Sequence, residues 1–159
     1  MEKTILRTLR LSDVNAVTAL ERVCNPMPWN EGDLTPFAAD FDSGNSTSKS
    51  IGLAAILENS GQVVGYVCAQ SVVDEAEILV LGVAPEYRGQ GFGQSLLTEL
   101  ISVLKAGGCA SLFLEVRFNN QAAVSLYQKM GFVQTGIRKG YYADNGEDAR
   151  LLQFNITPP

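Results

Sequence analysis

The stretch VAPEYRGQGFGQSLL (Val83–Leu97) decides the fold, because an apolar strand leads through a glycine-rich turn directly into an amphipathic helix. Gly89, Gly91 and Gly93 carry no side chains that could cover the backbone N–H groups of this turn. A helix N-terminus has four unpaired donors and a partial positive charge, which together favour a phosphate group. The sequence therefore predicts a phosphate-bearing cofactor at this turn.

Two other phosphate-binding loops fit this turn poorly. The P-loop requires Gly-Lys followed by Ser or Thr, but no lysine lies between Lys49 and Lys105. The dinucleotide fingerprint follows the first strand of a βαβ unit and has its own glycine spacing. Here the preceding strand begins with Asp74 and Glu75, and the glycines are spaced differently. Nucleoside triphosphate and dinucleotide sites are therefore not expected.

The spacing R-x-x-G-x-G at residues 88–93 resembles the pyrophosphate loop of the GCN5-related N-acetyltransferases, which bind acetyl-coenzyme A. The phrase LEVRFNNQAAVSLYQKMGF at residues 114–132 resembles the second half of the same cofactor site. The resemblance implies acetyl-coenzyme A as co-substrate. The residues that it and the glycine-rich turn indicate for cofactor binding are Leu81, Gly82, Val83, Arg88, Gly89, Gln90, Gly91, Phe92, Gly93, Gln94 and Asn120.

Within that superfamily the chain is most similar to the ribosomal-protein alanine N-acetyltransferases of the RimI type. The matching phrases are PMPWNEGDL (26–34), DEAEILVLGVAPEYRGQGFG (74–93) and IRKGYYADNGEDARLL (137–152). Residues 42–50 have no counterpart, and Gly82 stands where that family more often carries alanine. The resemblance implies acetylation of the N-terminal alanine of a small-subunit ribosomal protein. A lysine side chain or small amine as acceptor, or a non-catalytic coenzyme-A-binding module, are the alternatives.

Length and composition indicate one globular domain spanning residues 1–159, with 46% hydrophobic residues. No apolar run is long enough to cross a bilayer, and the N-terminus lacks a signal-peptide pattern. We therefore expect a cytoplasmic protein without a membrane partner. The formal net charge of -5 argues against non-specific nucleic-acid binding. This charge also suits a basic peptide acceptor, although mild acidity serves solubility alone in many proteins.

The chain contains no histidine, which removes the commonest general base and the commonest zinc ligand. Its three cysteines, Cys24, Cys68 and Cys109, are widely spaced and show no metal-ligand pattern. We expect them to be reduced, buried thiols, and we expect no metal.

The hydrophobic pattern, together with the resemblance, predicts a single-domain α/β fold with a mixed, mainly antiparallel sheet flanked by helices. The resemblance places the cofactor at a splayed pair of central strands. A polar, mobile loop is expected at residues 42–50. The predicted strands are 4–9, 51–57, 62–72, 77–84, 111–118, 132–138 and 150–156, and the predicted helices run from about 13 to 23, from about 31, from 91 to 105 and from 120 to 130.

Glu115 interrupts a strand that is otherwise mostly apolar. Alternation places it on the strand face that carries Phe113 and Arg117. Partial burial there would raise the pKa of its carboxyl group towards the range of a general base. The pattern allows equally a structural ion pair with Arg117. The resemblance favours the first role, since the catalytic glutamate of the similar alanine acetyltransferases occupies this position.

Four aromatic residues are candidate site residues. From pattern alone, Tyr127 on the last helix is more typical of a core tyrosine with its hydroxyl at the edge. The resemblance implies that it protonates the departing thiolate, and a phenol with a pKa of about 10 can donate to a thiolate whose acid has a pKa of about 8.5. Trp29, Tyr141 and Tyr142 lie in loops and are predicted to line the substrate entrance. Packing of Trp29 against the first helix is the alternative.

Overall fold

The computed structural model describes residues 2–44 and 47–156, and regular structure fills most of these ranges. The strands follow the apolar runs of the sequence, and the longer helices carry apolar stripes at helical spacing. Short 3₁₀ turns at Leu11–Asp13, Thr35–Phe37 and Pro85–Tyr87 join them. In chain order the elements are β1 (Thr4–Thr8), α1 (Val14–Cys24), α2 (Glu31–Leu34), β2 (Ser48–Leu57), β3 (Val63–Val72), β4 (Glu75–Val83), α3 (Phe92–Ala106), β5 (Ser111–Arg117), α4 (Gln121–Met130), β6 (Val133–Arg138) and β7 (Ala149–Asn155).

The strands form one sheet in the order β1-β2-β3-β4-β5-β7-β6. The neighbouring pairs are antiparallel except β4 and β5, which run parallel. These two central strands pair only where Glu75–Glu77 meets Ser111–Phe113, and they separate beyond that point. The predicted mixed, mainly antiparallel sheet with splayed central strands is therefore confirmed.

Two hydrophobic clusters cover the two faces of the sheet, and β4 contributes to both. The register between β3 and β4 shifts at Leu79, because Cys68 pairs with Val80 while Ala69 pairs with Ile78. Ile78 belongs to the cluster that contains the buried leucines of α3, whereas Val80 belongs to the cluster under α1. Before the shift, the even-numbered residues of β4 face α3, and after it they face α1. The change occurs just before the strand reaches the glycine-rich turn.

The largest departure from the predicted boundaries is at the start of β2. Ser48, Lys49 and Ser50 pair with Val72, Ser71 and Gln70, so part of the predicted loop at 42–50 is strand. Pairing with a neighbouring strand overrides the low strand preference of these polar residues. Asn45 and Ser46, which belong to the same predicted loop, lie outside the described residues. Within the described ranges, no helix is both long and apolar enough to cross a membrane.

Val73 is a strained residue in the two-residue turn between β3 and β4. Its φ is 56°, in the left-handed region, and 89% of its surface is exposed. A turn with positive φ at its first central position favours glycine, and a β-branched residue there costs about 1–2 kcal/mol. We expect Val73→Gly to raise the free energy of unfolding by about 1 kcal/mol, measured by urea denaturation.

The neighbouring Val72 supplies a matched control, since it is also an exposed valine but lies within β3. Val72→Gly removes the same side chain without relieving strain, so it should lower the free energy of unfolding. A loss of stability in both variants would contradict the assignment of strain to Val73.

Candidate active site

A cavity of about 570 Å³ lies where the end of β4, the glycine-rich turn, the start of α3 and one face of α4 meet. All of the residues predicted to bind the cofactor line it, except Gln90. The Gln90 side chain instead donates to the backbone oxygen of Glu86 at 3.4 Å. The lining residues are Cys24, Leu81, Gly82, Val83, Tyr87, Arg88, Gly89, Gly91, Phe92, Gly93, Gln94, Asn120, Ala122, Ala123, Leu126 and Lys129.

The N-terminus of α3 opens into this cavity without a side-chain cap. Gly91 occupies the N-cap position with a φ of 87°, and it has no side chain to bond the first amides. The first turn also contains no acidic residue. A Cβ added at Gly89 or Gly91 would meet nothing within 4 Å, so the space in front of the backbone is open. Uncapped amides facing open space fit the phosphates of a coenzyme A group.

Two cations and one thiol stand at the same cavity. The Arg88 Nε donates to the Val83 oxygen at 3.0 Å, and its Nη2 lies 3.5 Å from the Cys24 Sγ. Lys129 lines the wall formed by α4. Positive charge beside uncapped amides strengthens the attraction for an anion. Cys24 is half-buried, so the expectation of a buried thiol is wrong at this position.

The other two cysteines are buried, as expected. Burial, together with the nearby Glu21 carboxylate, raises the pKa of the Cys68 thiol to about 12. A thiol with such a pKa carries almost no thiolate at neutral pH and is a poor nucleophile. The contacts of Cys68 therefore point to a packing role.

The sequence interpretation missed the contribution of α4 to the cavity beyond its cap. Asn120 caps the helix by accepting from the Ala123 N–H at 3.2 Å, and it also lines the cavity. Ala122, Leu126 and Lys129 follow at the spacing i, i+4, i+7, which places them on one face of the helix. The spacing shows from sequence alone that these residues share one face of the helix. It does not show that this face points towards the glycine-rich turn.

Beyond Glu77, no described strand pairs with the edge of β4 that faces β5. Leu81, Gly82 and Val83 lie on this part of the strand. An open edge of this kind binds an extended, amide-rich chain by strand addition. On the sheet face towards α1, a Cβ at Gly82 would overlap the ring and hydroxyl of Tyr66, so only glycine fits here.

Glu115 lies on β5, at the part of the sheet where β4 and β5 have separated, and 19% of its side chain is exposed. Its carboxylate forms an ion pair with the Arg138 guanidinium, whose Nε lies 3.0 Å from Oε1. The alternative pairing with Arg117 is wrong, since Arg117 binds Asp144 at 2.9 Å. The Glu115 carboxylate also lies beside the Tyr141 hydroxyl and, as the main cause, raises the pKa of Tyr141 to about 12. Arg138 and Tyr141 thus hold this carboxylate in place.

The loop between β6 and β7 carries the predicted acceptor residues, and Arg117 fixes it to β5. The Arg117 guanidinium stacks 4.1 Å from the centre of the Tyr142 ring while it binds Asp144. Glu147 accepts from Arg117 at 3.4 Å and from the Asn119 N–H at 2.9 Å. These contacts place Tyr141 and Tyr142, whose rings are 5.1 Å apart, next to Glu115.

Trp29 lies in the loop between α1 and α2. Its ring packs 5.4 Å from the ring of Phe37 and belongs to the cluster under α1. The ring of Trp29 therefore packs in the cluster under α1, as the alternative interpretation of this residue expects. Its backbone N–H donates to Glu21, which lies on α1. The neighbouring Met27 is 47% exposed, so the loop itself faces solvent.

Tyr127 lies on α4 with 6% of its surface exposed, and its ring meets Phe132 edge to face at 5.4 Å. Burial, with a smaller contribution from Tyr142, raises the pKa of its phenol above the ordinary value. No hydrogen bond from its hydroxyl is found among the described residues, and no fully buried side-chain polar atom there lacks a partner. The hydroxyl therefore keeps some contact with solvent.

Neither of the two predicted proton-transfer residues is among the residues that line this cavity. Glu115 lies on β5 beyond the point where β4 and β5 separate, and Tyr127 lies on α4, one face of which forms a wall of the cavity. In residues 2–44 and 47–156 no group of three or more potential ligands could hold a metal ion. The proton-transfer roles of Glu115 and Tyr127 stay predictions from the resemblance.

The comparisons with known proteins agree on one family. The acetyltransferase (GNAT) family matches residues 14–132. A Bacillus subtilis protein is 33% identical over 160 residues and covers 97% of each chain. The [ribosomal protein bS18]-alanine N-acetyltransferase of Escherichia coli is 33% identical over 154 residues, covering 96% of this chain and 97% of its own.

Among solved structures, the ribosomal-protein alanine N-acetyltransferase from Escherichia coli superposes with a TM-score of 0.84 at 30% identity. The superposition covers 99% of this chain and 96% of that one. The match therefore includes both the cavity beside the glycine-rich turn and the loop that carries Tyr141 and Tyr142. This chain belongs to the GNAT family and is an acetyl-coenzyme-A-dependent N-acetyltransferase.

Proposed function

We propose that this protein acetylates the N-terminal alanine of a small-subunit ribosomal protein, by direct attack of the amine while both substrates are bound. The main support for this choice of acceptor is the 33% identity, over nearly the whole chain, with an enzyme named for the alanine of ribosomal protein bS18. The partner is then a protein N-terminus, the reaction takes place in the cytoplasm, and neither nucleic acid nor membrane takes part.

Acetyl-coenzyme A supplies an activated acetyl thioester. The uncapped amides at the start of α3 bind its pyrophosphate, with charge support from Arg88 and Lys129. The open edge of β4 hydrogen-bonds the amides of the pantetheine arm, and Asn120 binds the same arm. These contacts orient the reacting carbonyl towards the gap between β4 and β5.

Glu115 removes a proton from the incoming ammonium, through a water molecule. The amine nitrogen then forms a bond to the acetyl carbon, and the carbon–sulfur bond breaks with its electron pair going to sulfur. Tyr127 donates the proton that the sulfur takes up. The nitrogen then loses its second proton through water to the Tyr127 oxygen, which restores the phenol and leaves a neutral amide. The proton held by Glu115 passes to solvent. Tyr141, Tyr142 and the loop that contains Trp29 bind the acceptor peptide, and Arg138 keeps Glu115 in position.

The site suits an α-amino group better than a lysine side chain. An α-amino group has a pKa of about 7.7–8.0, whereas a lysine has one of about 10.4, so a lysine costs more to deprotonate. The chain contains no histidine that could assist. One carboxylate therefore has to remove a proton that a substantial minority of α-amino groups have already lost near neutral pH.

Coenzyme A release with two matched basic peptides tests this proposal. One peptide begins with a free N-terminal alanine, and the other has the same sequence with a blocked N-terminus and internal lysines. We expect turnover on the free peptide only. Turnover on the blocked peptide would identify a lysine acetyltransferase. No coenzyme A release with either peptide, while the protein still binds acetyl-coenzyme A, would indicate a small-molecule acceptor or a non-catalytic binding module.

A further inference from the structure

Glu21 on α1 is a buried carboxylate that the proposed reaction does not use. Only 1% of its surface is exposed, and no cation pairs with it in the described ranges. Burying a carboxylate is costly unless hydrogen bonds replace the lost water. Three donors do so: the Tyr66 hydroxyl at 2.6 Å, the Trp29 N–H at 2.9 Å and the Asn25 amide at 3.3 Å.

The two oxygens of this carboxylate bond different parts of the molecule. Oε2 accepts from Trp29 and Asn25, both in the loop between α1 and α2. Oε1 accepts from Tyr66 on β3, whose ring lies directly against Gly82 of β4. Glu21 therefore connects the loop before α2 to the strand that lines the cofactor cavity. Cys24, three residues further along α1, reaches the same cavity.

The loop at residues 25–30 depends strongly on this one side chain. Pro26 and Pro28 have no N–H, so four backbone donors remain in the loop. The Asn25 side chain, itself bound to Glu21, accepts from the Met27 N–H at 3.0 Å, and the Trp29 N–H binds Glu21 directly. The carboxylate thus holds the loop directly at Asn25 and Trp29, and indirectly, through Asn25, at Met27.

We propose that Glu21 is a positioning residue for the acceptor, which holds loop 25–30 in register with the cavity-lining strand β4 through Trp29, Asn25 and Tyr66. The inference rests on the proposed function, because it assigns this loop to acceptor binding. A glutamine has the same shape but one acceptor oxygen, and its NH₂ group would face the N–H of Trp29 or the hydroxyl of Tyr66. Glu21→Gln replaces a charged acceptor by a neutral one, which weakens the hydrogen bonds that hold the loop, without creating a cavity.

The test uses purified Glu21→Gln protein and the free N-terminal alanine peptide. We expect the peptide KM to rise about tenfold, while kcat and the Kd for acetyl-coenzyme A stay within about twofold. Trp29 is the only tryptophan of the chain, so its fluorescence reports on the loop directly. Acrylamide quenching of this fluorescence should increase in the variant.

Asp13→Asn is the matched control. Asp13 is a second buried carboxylate next to α1, 6% exposed, and it accepts two bonds from Arg7 and one from the Arg10 N–H. This variant should lower the unfolding midpoint without changing the peptide KM or Trp29 quenching. Tyr66→Phe keeps the ring against Gly82 and removes one donor, so it should raise the peptide KM to a smaller extent. Tyr66→Phe also tests the inference if the Glu21→Gln protein does not fold.

An unchanged peptide KM in Glu21→Gln, with wild-type turnover intact, would overturn the inference alone. Equal losses of acetyl-coenzyme A and peptide affinity would also overturn it, since the network would then support β4 rather than the acceptor loop. If the wild-type protein turns over neither peptide, the proposed function fails first, and the inference fails with it. In that case Trp29 quenching still shows whether Glu21 anchors the loop.

Discussion

Replacing Glu115 by glutamine should lower kcat by about 10²–10⁴-fold and leave the Kd for acetyl-coenzyme A within about twofold. Glutamine preserves the shape of the side chain and removes its negative charge, including the ion pair with Arg138. It cannot take up the proton of the acceptor ammonium, so only the chemical step is affected. Steady-state kinetics with the N-terminal alanine peptide give kcat, and calorimetry gives the cofactor Kd.

Glu77→Gln is the matched control for this variant. Glu77 lies on β4, and its pKa is raised first by partial burial and then by the nearby Glu115. It loses the same charge but holds no assigned proton-transfer role, so we expect less than about a tenfold change in kcat. Equal losses in the two variants would mean that the summed charge, and not Glu115 as the base, sets the rate. A parallel loss of acetyl-coenzyme A affinity in Glu115→Gln would indicate a structural role.

The local parts of the fold follow from the sequence pattern alone, whereas the sheet type and its splayed central strands come from the resemblance and the full strand order has no signal in the pattern. Helix α3 begins one residue from the predicted start, because Gly91 fixes its N-terminus through a backbone conformation that only glycine adopts readily. In contrast, β7 lies between β5 and β6, so the last strand of the chain inserts beside an earlier one. Pairings between distant segments have no signal in the periodicity of either segment alone.

The candidate site follows the same division. The glycine-rich turn and the end of β4 are contiguous in sequence, and both line the cavity as the motif indicates. The partner of Glu115 could not be read from alternation, which indicates a shared strand face but not the neighbouring strands. Arg138 reaches Glu115 from β6, across β7, whereas Arg117 turns towards Asp144. The inserted position of β7 therefore decides which arginine meets the carboxylate.

Replacing Tyr127 by phenylalanine should lower kcat by about 10²-fold or more. The variant removes only the hydroxyl and keeps the edge-to-face contact with Phe132. No described residue hydrogen-bonds this hydroxyl, so its removal orphans no partner, and the unfolding midpoint should remain unchanged. Steady-state kinetics and thermal denaturation separate the two effects. A large fall in the unfolding midpoint would contradict this expectation by pointing to a packing role.

The pH dependence of the wild-type enzyme tests the same assignment. The proposed donor role of Tyr127 requires the protonated phenol, which is present below its pKa and is lost as the pH rises through it. Because burial raises that pKa above the ordinary value of about 10, the phenol remains protonated throughout the range up to about pH 9. We therefore expect no decline in kcat from this group below about pH 9.5. A decline centred near pH 8–9 that disappears in Tyr127→Phe would show that the phenol ionises far more easily, and that burial does not keep it protonated for proton donation to the leaving sulfur.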